Sequence, residues 1–114
     1  MIKKIYRLNE SEVKKVLKYS KPFFSYGVVA NLMKNNLSYN RFSIVIGAKT
    51  VNHNVSRNFF RRKFFDMSSK YIDDVNGKDI VFVVKKQTKL DKNNFDSIKA
   101  FEKDIAFLLK KGDV

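Results

Sequence analysis

Apolar residues near the start of the chain recur at the spacing of one helix face, with lysines between them. They are Val13, Val16 and Leu17. This pattern predicts an amphipathic helix that begins at Asn9 or Ser11, either of which can serve as its cap, and ends at about Tyr19. The helix cannot continue much further, because Pro22 pushes the residue before it out of the helical region.

Three apolar runs with β-branched residues predict strands at Val28–Met33, Arg41–Gly47 and Asp79–Val84. A short loop rich in Asn and Ser separates the first two runs, so we expect them to form an antiparallel hairpin. The third run is apolar at nearly every position. Such a run is typical of a strand in the middle of a sheet, buried on both faces.

The segment Val55–Tyr71, with Asn54 or Ser56 at its start, predicts a helix with two unlike faces. One face collects the apolar side chains of Phe60, Phe64, Met67 and Tyr71. The opposite face collects Arg57, Asn58, Arg61 and Arg62. Phe65 falls amid the basic face, and two explanations are open. Its ring stacks on a nucleic-acid base, or the helix bends or a neighbouring element covers the ring.

A last amphipathic helix is predicted from about Asn94 to Lys110. The complete order is then helix, strand, strand, helix, strand, helix. This order predicts an α/β sandwich of the α+β class, in which helices pack on a small mixed sheet. The chain has 114 residues and is 44% hydrophobic, which fits one compact core, so we expect residues 1–114 to form a single domain.

The composition argues against several classes of protein. Cysteine is absent, which removes disulfides, thiolate nucleophiles and cysteine-ligated zinc. His53 is the only histidine and no carboxylate stands near it in the sequence, so we expect neither a metal site nor a general base there. No signal peptide and no apolar stretch of roughly 20 residues is seen, so we expect a cytoplasmic protein that is not embedded in a membrane.

The positive charge is concentrated in one part of the chain. The formal net charge is +13, and residues 1–70 hold 15 basic and 3 acidic side chains whereas residues 71–114 hold 9 and 8. Codon usage could produce a lysine-rich composition without any function, but it would not place all five arginines within the first 62 residues. The local excess therefore indicates a surface that binds nucleic acid.

The strongest concentration of charge is residues 49–63, which hold five cationic side chains and no acidic one. The start of the predicted second helix adds its positive dipole end to these side chains. We expect phosphates to bind here, with Lys49 and His53 in the preceding loop. The alternative is an amphipathic surface helix whose polar side happens to be basic.

The run Arg57–Arg62 resembles the arginine-asparagine signature of the bacterial ribonuclease P protein family. As in that family, it follows a strand and a basic loop. The helix after Arg7 and Leu8, the run Gly77–Phe82 and the final amphipathic helix are also similar, so the resemblance extends over most of the chain. Five positions depart from the family pattern. Ala48 stands where lysine is usual, Phe59 and Phe65 where arginine is usual, and Val13 and Leu17 where an aromatic pair is usual.

The resemblance implies the protein subunit of an endoribonuclease holoenzyme that matures the 5′ end of tRNA. In that family a large RNA, which binds most of the Mg²⁺, cleaves the precursor, and the protein clamps this RNA and holds the single-stranded 5′ leader. The implied partners are thus the ribonuclease P RNA and the leader, with no membrane and no obligate protein partner. A left-handed crossover from the second helix to the sheet is also implied, against the usual right-handed preference.

The resemblance also assigns roles to individual positions. One set matches the family positions that contact the catalytic RNA: Lys49, Arg57, Asn58, Arg61 and Arg62. Val13 and Leu17 match positions in the leader cleft that are usually phenylalanine. No side chain is implied as catalytic or as a metal ligand.

Three other functions remain open at this point. A ribosomal or other structural RNA-binding protein would share the size and charge. A DNA-binding regulator would use the second helix in a major groove, although strands precede that helix where a helix-turn-helix needs a helix. An enzyme acting by itself would need side-chain constellations that the sequence lacks.

Overall fold

The computed structural model describes residues 2–47, 54–85 and 88–112. Its three α-helices are Glu10–Tyr19 (α1), Asn54–Ser68 (α2) and Phe95–Gly112 (α3). Its four strands are Lys21–Phe24 (β1), Val28–Lys34 (β2), Arg41–Val45 (β3) and Lys78–Val84 (β4). Short 3-10 helices lie at Lys4–Tyr6, before α1, and at Ser69–Tyr71, directly after α2.

The four strands form one mixed sheet in the order β1-β2-β4-β3. β2 is antiparallel to β1 and to β4, whereas β3 and β4 are parallel neighbours joined through α2. The predicted α+β class is therefore confirmed, and so is the central position of the strand that begins near Asp79. The left hand of the β3-α2-β4 crossover stays a prediction from the resemblance.

The predicted hairpin between β2 and β3 is wrong, because β4 lies between these two strands. The side chains of Ile80, Val81 and Phe82 on β4 point alternately to the two faces of the sheet, and all three are buried. A central position, with a strand on each side, therefore buries more apolar surface for β4 than an edge position would. The hairpin partner of β2 is β1, a strand missing from the predicted order. β1 has only four residues and contains Pro22, which lacks a backbone donor and is confined to sheet edges.

The two faces of the sheet are covered differently. α2 and α3 pack on one face and enclose the main core, in which Phe42, Phe64 and Phe82 have no exposed surface or almost none. α1 packs on the other face through Val16, which is fully buried against Val81. The prediction for α1 is confirmed, and Asn9 is its cap.

A reciprocal pair of hydrogen bonds fixes the start of α1. The Asn9 side-chain oxygen accepts from the backbone N–H of Glu12 at 2.8 Å, and the Glu12 carboxylate accepts from the backbone N–H of Asn9 at 2.9 Å. This is a capping box, which satisfies two backbone donors at the helix end. None of the helices within the described ranges is both long and apolar enough to cross a membrane.

Candidate nucleic-acid interface

A groove of about 820 Å³ separates α2 from the start of α1 and from β3. Five cationic side chains line it: Lys4, Arg7, Arg41, Arg61 and Arg62. Glu12 is the one acidic side chain among the described residues of its lining. The basic groove, as we call it, therefore carries a net positive charge and favours an anionic ligand.

The structure brings together three of the residues predicted on the basic face of α2. Asn58, Arg61 and Arg62 are exposed and line the basic groove. Arg57 is half-buried and is not part of this lining. The predicted contacts Lys49 and His53, like Ala48, lie outside the described residues.

Arg41 in the basic groove is held by two carboxylates. Its Nε and Nη2 donate to the two oxygens of Asp79 at 2.8 and 2.7 Å, and its Nη1 donates to Glu12 at 2.6 Å. The hydrogen bonds to Asp79 raise the pKa of the Arg41 guanidinium, and the negative charges of Asp79 and Glu12 add to this effect against the cost of burial. Arg41 thus ties the start of α1 to β3 and β4, and its charge is already compensated.

Exposed cations, by contrast, are available to phosphate along the same groove. Arg61 and Arg62 on α2 face Lys4 in the N-terminal segment. Arginine offers a planar fork of donors that matches two phosphate oxygens at once. Lys4 could not be predicted from the sequence, because only the folded chain brings the N-terminal segment beside α2.

Phe65 is buried, with 8% of its surface exposed, and belongs to the same core cluster as Ile44 and Ile46. Its ring packs edge-on against Phe64, with centroids 5.2 Å apart, while part of it lines the basic groove. Of the two explanations for an aromatic residue amid the basic face, the structure favours a ring covered by neighbouring elements. Phe59 is half-buried, packs against the same core cluster and contacts Phe60 edge-on.

Replacing Phe65 by leucine should therefore lower the free energy of unfolding by about 1 kcal/mol and change the affinity for RNA less than about twofold. Denaturant unfolding and a binding titration on the same variant check both values. A base stacked on the ring would contribute about 1–3 kcal/mol, so an affinity loss of tenfold or more with unchanged stability would restore the stacking explanation.

The predicted cleft residues lie on one side of α1. Val13 is half-buried against the cluster that contains Val16 and Val81. Leu17, one turn further along the helix, is 45% exposed. Val13 therefore borders the sheet face on which α1 packs, whereas nearly half of Leu17 is open to solvent.

That sheet face carries a row of apolar residues that sequence reasoning missed. Strand pairing aligns Phe24, Val29, Val83 and Val45 across all four strands. Paired residues share a face, and Val83 lies on the face of Val81, the side on which α1 packs. Phe24 and Val45 are exposed, and Val29 and Val83 are half-buried. We call this set the apolar row.

The fold and these two surfaces define a class of protein. Cationic grooves bind phosphates, and exposed apolar and aromatic side chains on a sheet give unpaired bases a surface on which to stack. Together they are typical of a protein that binds RNA containing single-stranded segments. Within the described ranges, no group of three or more histidine, aspartate or glutamate side chains comes together as a metal site.

Comparison with known proteins identifies the family. The family model for ribonuclease P matches residues 2–111, and the chain belongs to the ribonuclease P protein family. No curated protein is similar enough in sequence to match the chain. The protein is thus a ribonuclease P component that binds the ribonuclease P RNA and takes part in tRNA processing.

Solved structures agree in fold. The ribonuclease P protein of Staphylococcus aureus superposes with a TM-score of 0.71 at 18% identity, over 96% of each chain. The ribonuclease P protein of Thermotoga maritima gives a TM-score of 0.70 at 23% identity, over 92% of this chain and 96% of the other. None of these comparisons supports the alternative of a ribosomal or other structural RNA-binding protein.

Proposed function

We propose that this protein assists a catalytic RNA in removing the 5′ leader of precursor tRNA in the cytoplasm. The ribonuclease P RNA binds in the basic groove, and the single-stranded leader lies over the apolar row beside α1. One observation carries the proposal, namely that β3 joins the two surfaces. Ser43 lines the basic groove, and Val45, two residues further on the same face of β3, ends the apolar row.

The basic groove suits a structured RNA. Its exposed cations come from α2 and from the N-terminal segment, so their spacing is set by packing of the whole domain and not by one helix. A rigid array of cations recognises the fixed spacing of phosphates in a folded RNA, and its affinity depends steeply on salt. We include Lys49 and Arg57 in this contact surface on the strength of the family resemblance, and His53 because it lies in the same basic stretch of the sequence.

The apolar row suits a single strand. Unpaired bases stack on aromatic side chains and pack on aliphatic ones, with little dependence on sequence. Phe24 supplies an aromatic ring at the outer end of the row, and Val13 and Leu17 form the wall on the α1 side. The two aliphatic residues of α1 pack against bases but cannot stack on them, so Phe24 supplies the main stacking contact.

We assign the hydrolysis to the RNA. Mg²⁺ prefers oxygen ligands and usually keeps several waters, and the phosphates of a folded RNA provide such ligands. The protein contributes by positioning, because holding the leader beside the bound RNA raises the share of precursor that is correctly placed for cleavage.

Replacing Phe24 by alanine in the holoenzyme should weaken binding of precursor tRNA by about tenfold and leave the affinity for mature tRNA unchanged, because only the precursor has a leader. Titrations with the two RNAs measure the difference. Phe95→Ala is the matched control, since Phe95 has similar exposure, 68% against 62% for Phe24, and lies on α3 away from the apolar row. Equal losses for precursor and mature tRNA would contradict the assignment of the row to the leader.

A further inference from the structure

A notch opens at the outer edge of the sheet because β2 is longer than β1. β2 has seven residues and β1 has four, and their pairing ends at Lys21 and Leu32. Met33 and Lys34 continue past the start of β1. The notch has a volume of about 220 Å³, and we call it the lysine notch. Its lining residues are Lys21, Phe23, Leu32, Met33, Lys34, Lys78 and Lys111.

Four of the seven lining residues are lysines, and none of the seven is acidic. Lys78 donates to Asp74 at 2.9 Å, so its charge is compensated. In the described part of the chain, no carboxylate lies within ion-pair distance of Lys21, Lys34 or Lys111. Like charges gathered in one recess repel each other and create a local positive potential that an anion would relieve.

The floor of the lysine notch is apolar and one of its cations is held in place. Phe23, Leu32 and Met33 are its apolar lining residues, and all three are half-buried. The Lys111 ammonium lies 5.7 Å from the ring centroids of both Phe23 and Phe107, where two cation–π interactions restrict it. Half-buried apolar residues beside exposed lysines match the chemistry of a single-stranded nucleotide, which has a flat base and a charged phosphate.

The lysine notch lies at the same edge of the sheet as the end of the apolar row, on the opposite face. The row ends at Phe24 on β1, an edge strand. Lys21 is three residues away, about 10 Å along the strand, and its side chain points to the opposite face, so a nucleic-acid strand that leaves the row turns around this edge to reach the notch. Tyr19, just before β1, is 65% exposed and has the Lys18 ammonium 5.3 Å from its ring centroid. An aromatic and basic surface thus connects this edge with the end of α1.

We propose that the lysine notch binds the phosphodiester backbone of leader nucleotides upstream of those on the apolar row, an inference that rests on the proposed function. The basic groove and the notch then lie at opposite edges of the sheet, β3 and β1. The precursor is held along the whole width of the sheet, and precursors with longer leaders bind more tightly than those with short ones.

The test compares two precursors and two triple variants in the holoenzyme. One precursor has a leader of about 4 nucleotides and the other of about 16, the limits of single-strand site sizes on a comparable small domain. The notch variant is Lys21→Ala, Lys34→Ala, Lys111→Ala. The control is Lys70→Ala, Lys89→Ala, Lys103→Ala, which removes the same charge from exposed lysines outside the notch. Thermal melting of each variant verifies folding.

The notch variant should lose about tenfold in affinity for the long-leader precursor and less than about twofold for the short-leader one. Its salt dependence with the long leader should be shallower by about two, since single strands contribute roughly 0.7 for each phosphate contact. The control should lose affinity equally for the two precursors and so keep the wild-type preference for the long leader.

Three results would overturn the inference. The first is equal affinity of the wild-type holoenzyme for the two precursors. The second is an equal loss of affinity of the notch variant for both precursors, which would mean that the notch binds the ribonuclease P RNA. The third is a control variant that loses as much affinity for the long-leader precursor as the notch variant does. Failure of the proposed function is a separate observation. It would show as equal affinity of the wild-type holoenzyme for the short-leader precursor and for mature tRNA. The comparison between the two leaders does not include mature tRNA, so the two failures are distinguishable.

Discussion

Replacing Arg61 and Arg62 together by alanine should weaken binding of the ribonuclease P RNA by about a hundredfold and leave the melting temperature nearly unchanged. Both side chains are exposed and line the basic groove, so each is free to make a charge-assisted contact to phosphate. Loss of two such contacts should make the salt dependence of the affinity shallower by about two. Exposed charges contribute little to folding.

The matched control for this double variant is Lys70→Ala, Lys103→Ala, which removes two exposed cations that do not line the groove. Filter binding over a range of salt concentrations, together with thermal melting, measures both quantities. An equal loss of affinity in the control would contradict the assignment of these arginines to RNA binding. A much lower melting temperature of the arginine variant would contradict it too, since the arginines would then act on the fold.

Replacing Arg41 by methionine should lower the free energy of unfolding by about 3–5 kcal/mol. Asp79 is 3% exposed, and the change removes both hydrogen bonds that Arg41 donates to its carboxylate. The side-chain amide of Asn35, at 2.9 Å, would still donate to that carboxylate. A buried charge without its partner is costly, and methionine keeps much of the apolar packing.

Glu12→Gln provides the comparison for Arg41. The glutamine side chain can still accept from the Asn9 backbone and preserve the capping box, so only the more exposed charge pair is lost. We expect a cost below about 1 kcal/mol. Urea unfolding of the two variants measures both changes in the free energy of unfolding. Equal changes would mean that the buried ion pair with Asp79 stabilises the fold no more than the exposed pair with Glu12.

The helices and the central strand could be predicted because local signals determine them. Asn9 caps α1 as expected, and the continuous apolar run of β4 indicated burial on both faces. Strand order could not be predicted in the same way. It depends on which strands bury the most surface together, and a short connection between β2 and β3 was misleading because the more apolar β4 lies between them.

The three surfaces differ in how far the sequence could reveal them. The basic face of α2 follows from helical geometry alone, which is why Asn58, Arg61 and Arg62 were found together. The apolar row and the lysine notch depend on strand register, which aligns residues as distant as Phe24 and Val83. Helical geometry also placed Phe65 on the basic face, and only tertiary packing shows that its ring is covered.

Reconstitution tests the central claim most directly. The protein is added to its ribonuclease P RNA and a precursor tRNA at low magnesium, where RNA alone cleaves poorly, and release of the 5′ leader is followed. We expect the protein to restore cleavage, and the variant lacking Arg61 and Arg62 to need a much higher concentration for the same rate. Absence of any stimulation with the cognate RNA would contradict the account.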